Sequence, residues 1–171
     1  MTSTWQIRPE RPADAGAIRT VHERAFARRA EADLVDALRA GHELVDALCL
    51  VAVEAASILG HIAFSRARLD SGHAVLALAP MGVLPEQQGR GVGSALVEGG
   101  LGRAARTDYP LVVVLGHPDY YPRFGFEPAA ALGVEAPFPV PDDAWLAHRL
   151  PAYGAEARGR VTYADAFAGL D

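Results

Sequence analysis

Val83-Leu84-Pro85-Glu86-Gln87-Gln88-Gly89-Arg90-Gly91-Val92-Gly93-Ser94 leads out of a strand-like segment and into a run with helical spacing. Glycines in such a turn let a ligand approach the backbone closely. The N–H groups of the first helical turn, aided by the helix dipole, form an anion site that would fit a pyrophosphate. The spacing rules out two other phosphate-binding turns. Ser94 stands where the dinucleotide pattern Gly-x-Gly-x-x-Gly needs its third glycine, and no lysine is available for a P-loop.

Upstream of the turn, Ala74 to Val83 reads as a strand interrupted by Pro80, which cannot donate a ladder hydrogen bond and so predicts a bulge or an unpaired edge. Downstream, a helix is expected to about Thr107, with Val92, Leu96 or Val97, Leu101, and Ala104 or Ala105 facing inward. Gly99, Gly100 and Gly102 should weaken that helix by roughly 1 kcal/mol each relative to alanine. Leu111 to Leu115 is a fully apolar run, the pattern of a central strand buried on both faces. Gly116-His117-Pro118 ends it, and Asp119 to Phe124 suits a short helix before a turn at Gly125-Phe126.

The amino-terminal part reads as a strand at Trp5 to Arg8, a helix carrying Ile18, Val21, His22 and Phe26, and a second helix from Glu31 to Arg39 stopped by Gly41. Strands follow near Leu48 to Glu54 and Ile58 to Arg68. Past Glu127 the pattern is weaker. Pro137, Pro139 and Pro141 suggest an extended loop, Trp145-Leu146 an anchor, and Val161-Thr162-Tyr163 a last strand. With no repeat and no linker, residues 1–171 read as one α/β domain, of which 127–171 is the less clearly patterned part.

Composition narrows the function. The 171 residues are half apolar, enough for a continuous core. A net charge of −5 without a basic block argues against nucleic acid as a partner. All 16 basic residues are arginine, which excludes a Schiff-base lysine. The single cysteine, Cys49, lies in the apolar run Leu48 to Val53 and reads as a buried thiol rather than a nucleophile. Neither a signal peptide nor a membrane span is evident, so a cytoplasmic protein with no membrane partner is the expectation. His42, His61, His73 and His148 form no pair with metal-ligand spacing, and no metal is expected.

Gln88-x-x-Gly91-x-Gly93 matches the pattern Gln/Arg-x-x-Gly-x-Gly/Ala, and here the chain resembles the GNAT superfamily of acetyl-CoA-dependent N-acetyltransferases. A second match lies about thirty residues on. Gly116-His117-Pro118-Asp119-Tyr120-Tyr121-Pro122-Arg123-Phe124-Gly125-Phe126 resembles the superfamily's Tyr-x-x-x-Gly-Phe segment, in a fuller form similar to a bacterial subgroup of acetyltransferases. The resemblance implies a central mixed, mostly antiparallel twisted sheet of about six to seven strands, splayed at the cofactor site and flanked by about four helices. It also implies direct attack of a neutral amine on the thioester of acetyl-CoA, with no acyl-enzyme.

On this resemblance the CoA-binding residues are Met81, Gly82 and Val83 of the interrupted strand, and Gln88, Gly89, Arg90, Gly91, Val92, Gly93 and Ser94 of the turn. Tyr121 is the candidate proton donor to the departing thiolate, because a phenol with a pKa of about 10 stays protonated where a thiol of about 8.5 ionises. His117 is the candidate base, since Leu78-Ala79-Pro80 offers no carboxylate; His22 and Glu23, or a chain of waters, are the alternatives. The expected partner is an amine acceptor, with a homodimer left open. The rival reading is an acyl-CoA-binding sensor that has lost turnover.

Overall fold

The structure, a computed structural model, describes residues 4–169. Along the chain the strands are β1 Gln6–Pro9, β2 Leu50–Glu54, β3 Ser57–Leu69, β4 Ala74–Val83, β5 Leu111–Leu115, β6 Glu127–Pro128, β7 Val134–Glu135, β8 Trp145–Arg149 and β9 Gly159–Thr162. The helices are α1 Ala15–Phe26, α2 Ala30–Ala40 and α3 Val92–Ala104. The chain divides into two compact units. Of the described residues, the first takes those up to Phe64, Ala79–Arg103 and those from Asp165 to Gly169; the second takes Ser65–Leu78 and Ala104–Ala164.

In the first unit, β1 and the start of β3 both pair antiparallel with β2, Ile7 opposite Ala52 and Val51 opposite His61. The helical spacing of α1 and α2 brings Ile18 and Val35 together over Val51, with Val53 and Ile58 beside them. On the outer side Arg19 bridges the two helices, reaching Asp33 and Asp36 at 2.7 Å each. These pairs are exposed, so burial of the apolar stripe holds the helices far more than the charges do.

The glycines of α3 behave differently from the sequence expectation. A Cβ on Gly100 would lie 2.5 and 2.7 Å from the ring of the fully buried Phe64, and one on Gly99 would lie 3.3 Å from Ile7 and Leu50. From the opposite side, a Cβ on Gly60 of β3 would lie 3.0 Å from Leu96 and 3.2 Å from Val92. Helix and strand therefore meet backbone against side chain, and the propensity lost at Gly99 and Gly100 is the condition for that approach. Gly102 faces open space and carries the propensity cost alone.

In the second unit β4 pairs parallel with β5, Leu76 opposite Val112, and β5 pairs antiparallel with β8 along its whole length. β8 also pairs with β6, the end of β3 with β9, and β9 with β7 in parallel. The mixed α/β architecture is as expected, with three differences. There are nine strands among the described residues, two of them only two residues long. Trp145-Leu146 is a buried anchor as expected, with the Trp145 indole donating to the Val134 carbonyl, but it is also the start of a strand that the sequence did not announce. Among the described residues there are three α-helices rather than four, because Asp119 to Phe124 forms only a 3₁₀ turn, Tyr121–Phe124. Pro122 cannot donate a helical hydrogen bond, and Gly125 at φ +92° ends the turn in a left-handed conformation. Leu111 to Val114 are buried as predicted, whereas Leu115 is 45% exposed.

A matched pair of substitutions tests the packing of α3. Gly102→Ala should stabilise the protein by up to about 1 kcal/mol, while Gly100→Ala should destabilise it as Phe64 is displaced. Urea midpoints measure both. Equal, stabilising effects would show that Gly100 has no packing role.

Candidate active site

β4 ends at Val83, and the chain enters α3 through the 3₁₀ turn Pro85–Gln87 and residues 88–91. Gly89 and Gly91 have φ of +78° and +87°, a region L side chains rarely adopt, so both positions require glycine for backbone reasons. Gln88 closes the turn by donating from Nε2 to the Val83 carbonyl at 3.1 Å. A bidentate pair between Arg24 and Glu86, at 2.9 and 2.8 Å, ties α1 to the same turn. The Ala95 N–H bonds to the Gly91 carbonyl, so the amides of Val92 and Gly93 fall in the first helical turn, where N–H groups lack intrahelical partners.

Arg90 is exposed, yet its guanidinium donates to Gln87, pairs with Glu54 at 3.5 Å and lies 5.2 Å over the Trp5 ring. Just past β4 the Leu84 N–H donates to the Leu59 carbonyl of β3. Strand alternation therefore turns the Val83 N–H toward the edge away from β3.

In the second unit Tyr121 is buried, its ring edge-on to Tyr120 and Phe126 at 5.1 and 5.4 Å. A Cβ on Gly116 would overlap the Tyr121 ring, so that glycine makes room for it. Burial, and secondarily Tyr120, push the Tyr121 hydroxyl up to about 12. Tyr120 is half-buried and its ring meets Arg123 and Phe124. His117, just past β5, is exposed, and its carbonyl accepts from the amides of Tyr120 and Tyr121.

Residues 45–128 match the family model described as an acetyltransferase (GNAT) domain. The chain is 40% identical over 161 residues to the N-acetyltransferase YjhQ of Escherichia coli K12, covering 90% of this chain and 88% of that one. The chain belongs to the GNAT family of N-acetyltransferases. It is thus an acyltransferase. The crystal structure of YhbS from Escherichia coli, a GNAT N-acetyltransferase in complex with CoA, superposes with a TM-score of 0.90 at 33% identity, over 98% of this chain and 94% of that one. A GNAT acetyltransferase from Brucella melitensis in complex with acetyl-CoA gives a TM-score of 0.80 at 34% identity, over 95% and 97% of the two chains. Among the described residues, no helix is long and apolar enough to cross a membrane.

In this acetyltransferase Cys49 is fully buried, and its thiol donates to the Phe64 carbonyl at 3.6 Å. Burial pushes that thiol up to about 12, so it does not supply a thiolate nucleophile.

A cluster of which sequence reading singled out only His22 lies in the first unit. His22 Nε2 meets His61 Nδ1 at 2.8 Å, His61 Nε2 meets Glu10 Oε1 at 2.9 Å, and Arg39 holds the other Glu10 oxygen at 2.5 Å. Both histidines are 0% exposed. Burial raises the Glu10 pKa, but hydrogen bonds from His61 and Arg39 outweigh it and leave the carboxylate below its ordinary range. Burial, and then the nearby His61, lower His22 to about 3. Among the described residues no group of His, Cys, Asp and Glu is placed to hold a metal ion.

Neutral burial of His22 makes stability depend on pH. Between about pH 6.5 and about 3 the unfolded chain binds a proton at His22 that the folded chain does not. Stability should therefore rise with pH across that window and be lost as pH falls through it. Urea midpoints from pH 7 to 4 should drop less steeply in His22→Gln than in the wild type. Parallel slopes would show that this histidine contributes nothing to the acid lability.

Proposed function

We propose that the whole chain, residues 1–171, acts as one acyltransferase domain that moves the acetyl group of acetyl-CoA directly to a primary amine. The observation that carries this reading is the Gln88 to Gly93 turn. Its two left-handed glycines and the first amides of α3 supply the backbone donors a pyrophosphate needs. The CoA and acetyl-CoA complexes of the two similar structures support the same ligand here. Met81, Gly82 and Val83 would line the thioester, with the outward Val83 N–H polarising its carbonyl. Gln88, Gly89, Arg90, Gly91, Val92, Gly93 and Ser94 would hold the pyrophosphate; for Arg90 this means exchanging Glu54 for a phosphate. The cytoplasm is the compartment proposed, in keeping with the unpaired Cys49.

The chemistry needs three proton movements. An ammonium must lose one proton to become a nucleophile, and the attacking amine must lose a second to become an amide. The departing thiolate gains one. Tyr121 is proposed as the donor to the thiolate, since its raised pKa keeps it a phenol at every pH near neutrality. His117, exposed to solvent, is proposed to take the first proton and pass it to bulk water. Direct transfer is the route the family resemblance implies, and the buried Cys49 thiol agrees with it because it supplies no thiolate to carry the acetyl group.

Thiol release from acetyl-CoA against a panel of polyamines, aminoglycosides, amino acids and peptides tests the reading. Tyr121→Phe should lower the single-turnover rate about 10²- to 10⁴-fold, with the CoA dissociation constant nearly unchanged and Tyr120→Phe close to wild type. A wild-type rate in Tyr121→Phe would remove its role as the acid. CoA binding without transfer to any amine would favour the sensor reading.

A further inference from the structure

The Glu10, His61 and His22 chain has a direction set by its ends. Glu10 is a carboxylate that accepts from Arg39, so the Glu10–His61 hydrogen bond has its proton on His61 Nε2. With His61 neutral, its Nδ1 carries a lone pair and accepts from His22 Nε2–H. His22 Nδ1 is left unprotonated, a hydrogen-bond acceptor at the end of the chain. It is buried and has no hydrogen-bond partner among the described residues. Such an atom in a native interior calls for an explanation.

Its surroundings supply one. A Cβ on Gly82 would stand 2.8 Å from His22 Nδ1 and 3.2 Å from Cε1, so Nδ1 lies directly against β4 at the segment proposed to hold the thioester. Any larger residue at position 82 would push the imidazole away. The imidazole's other neighbour is Phe26, stacked at 6.1 Å and 19°, whose ring is 38% exposed at the end of α1.

We propose that Glu10, His61 and His22 form a proton relay whose open end, His22 Nδ1, takes the proton that the amine loses as it becomes the amide. The inference rests on the acetyl-transfer reading above. As the amine nitrogen bonds to the acetyl carbon and the carbon–sulfur bond breaks, the N–H proton passes to His22 Nδ1. The Nε2 proton of His22 moves to His61 Nδ1, and that of His61 Nε2 moves to Glu10. Both histidines end in the opposite neutral tautomer and Glu10 becomes a carboxylic acid. The thiolate takes the Tyr121 proton, which Tyr121 regains from solvent. The relay resets as His22 releases its Nδ1 proton to solvent while the His61 Nδ1 proton returns to His22 Nε2 and the Glu10 proton to His61 Nε2. No imidazolium forms, which is how a histidine whose burial opposes charge still accepts a proton. Of the groups around the relay, Arg39 from α2 and the carboxylate of Glu10 carry charge; Phe26, Ala25 and Gly82 do not.

Two measurements on the full-length protein test the relay. Histidine ¹⁵N spectra should show His22 and His61 each protonated at Nε2 and bare at Nδ1 at neutral pH. His22 protonated at Nδ1 would overturn the proposal. Glu10→Gln keeps the shape but cannot accept the proton, so single-turnover acetyl transfer should fall about 10²-fold or more with the CoA dissociation constant unchanged. Glu10→Asp should recover part of the rate, which a purely structural loss would not. His22→Gln should show the same defect, and if it does not fold, the Glu10 pair decides. Wild-type rates in folded Glu10→Gln would sink the relay and leave the acetyltransferase reading standing. A wild-type protein that acetylates no amine in the panel would sink both.

Discussion

Close approach of α3 to the strands beneath it is the constraint on which the first unit depends. Gly99 and Gly100 bring the helix backbone onto Phe64, Ile7 and Leu50, and Gly60 accepts Val92 and Leu96 from the helix side. A helix seated this closely has its first turn fixed relative to β3 and to the end of β4. That matters because an anion site made of backbone amides works by placement rather than by flexible side chains. The chain accepts glycine, a weak helix former, at four of thirteen positions of α3, and the burial of Phe64 and Leu96 offsets it.

The same unit also buries polar groups. Two histidines, a carboxylate and a guanidinium are joined by hydrogen bonds of 2.5 to 2.9 Å, so nearly every desolvated atom is compensated. His22 Nδ1 is the exception. An orphaned buried acceptor costs about 1–3 kcal/mol, and it stands against the strand proposed to bind the thioester. Tyr121 in the second unit follows another rule: burial among aromatic rings holds it in its protonated form, which is the form a proton donor requires.

The elements most legible in the sequence are those whose signal is local. The glycine turn, the five-residue apolar strand β5 and the helical stripe of α1 and α2 each announce themselves within a dozen residues. β4 was legible in extent, Ala74 to Val83, despite Pro80. Trp145 to Arg149 was missed as a strand because its residues mix aromatic, apolar and charged types without clear alternation; its place is set by pairing with β5 and β6. The α3 glycines were misread because propensity is local and the Phe64 contact is not. His22 was singled out as an alternative base, but its joining to His61, Glu10 and Arg39 was invisible for the same reason. The cluster's partners stand 39 and 51 residues apart, on α1, β3 and the residue after β1, and no spacing rule joins them. The proposed roles of Tyr121, His117 and the turn rest on motif order together with the local geometry now described.

A ¹⁵N amide titration with CoA tests the central claim, that the turn into α3 is the pyrophosphate site, most directly. The account predicts saturable shifts concentrated in the amides of Gly89 to Ser94 and in Met81 to Val83, with much smaller changes for NAD at the same concentration. Saturable shifts that leave the amides of Gly89 to Ser94 unmoved, or no shifts at millimolar CoA, would contradict it.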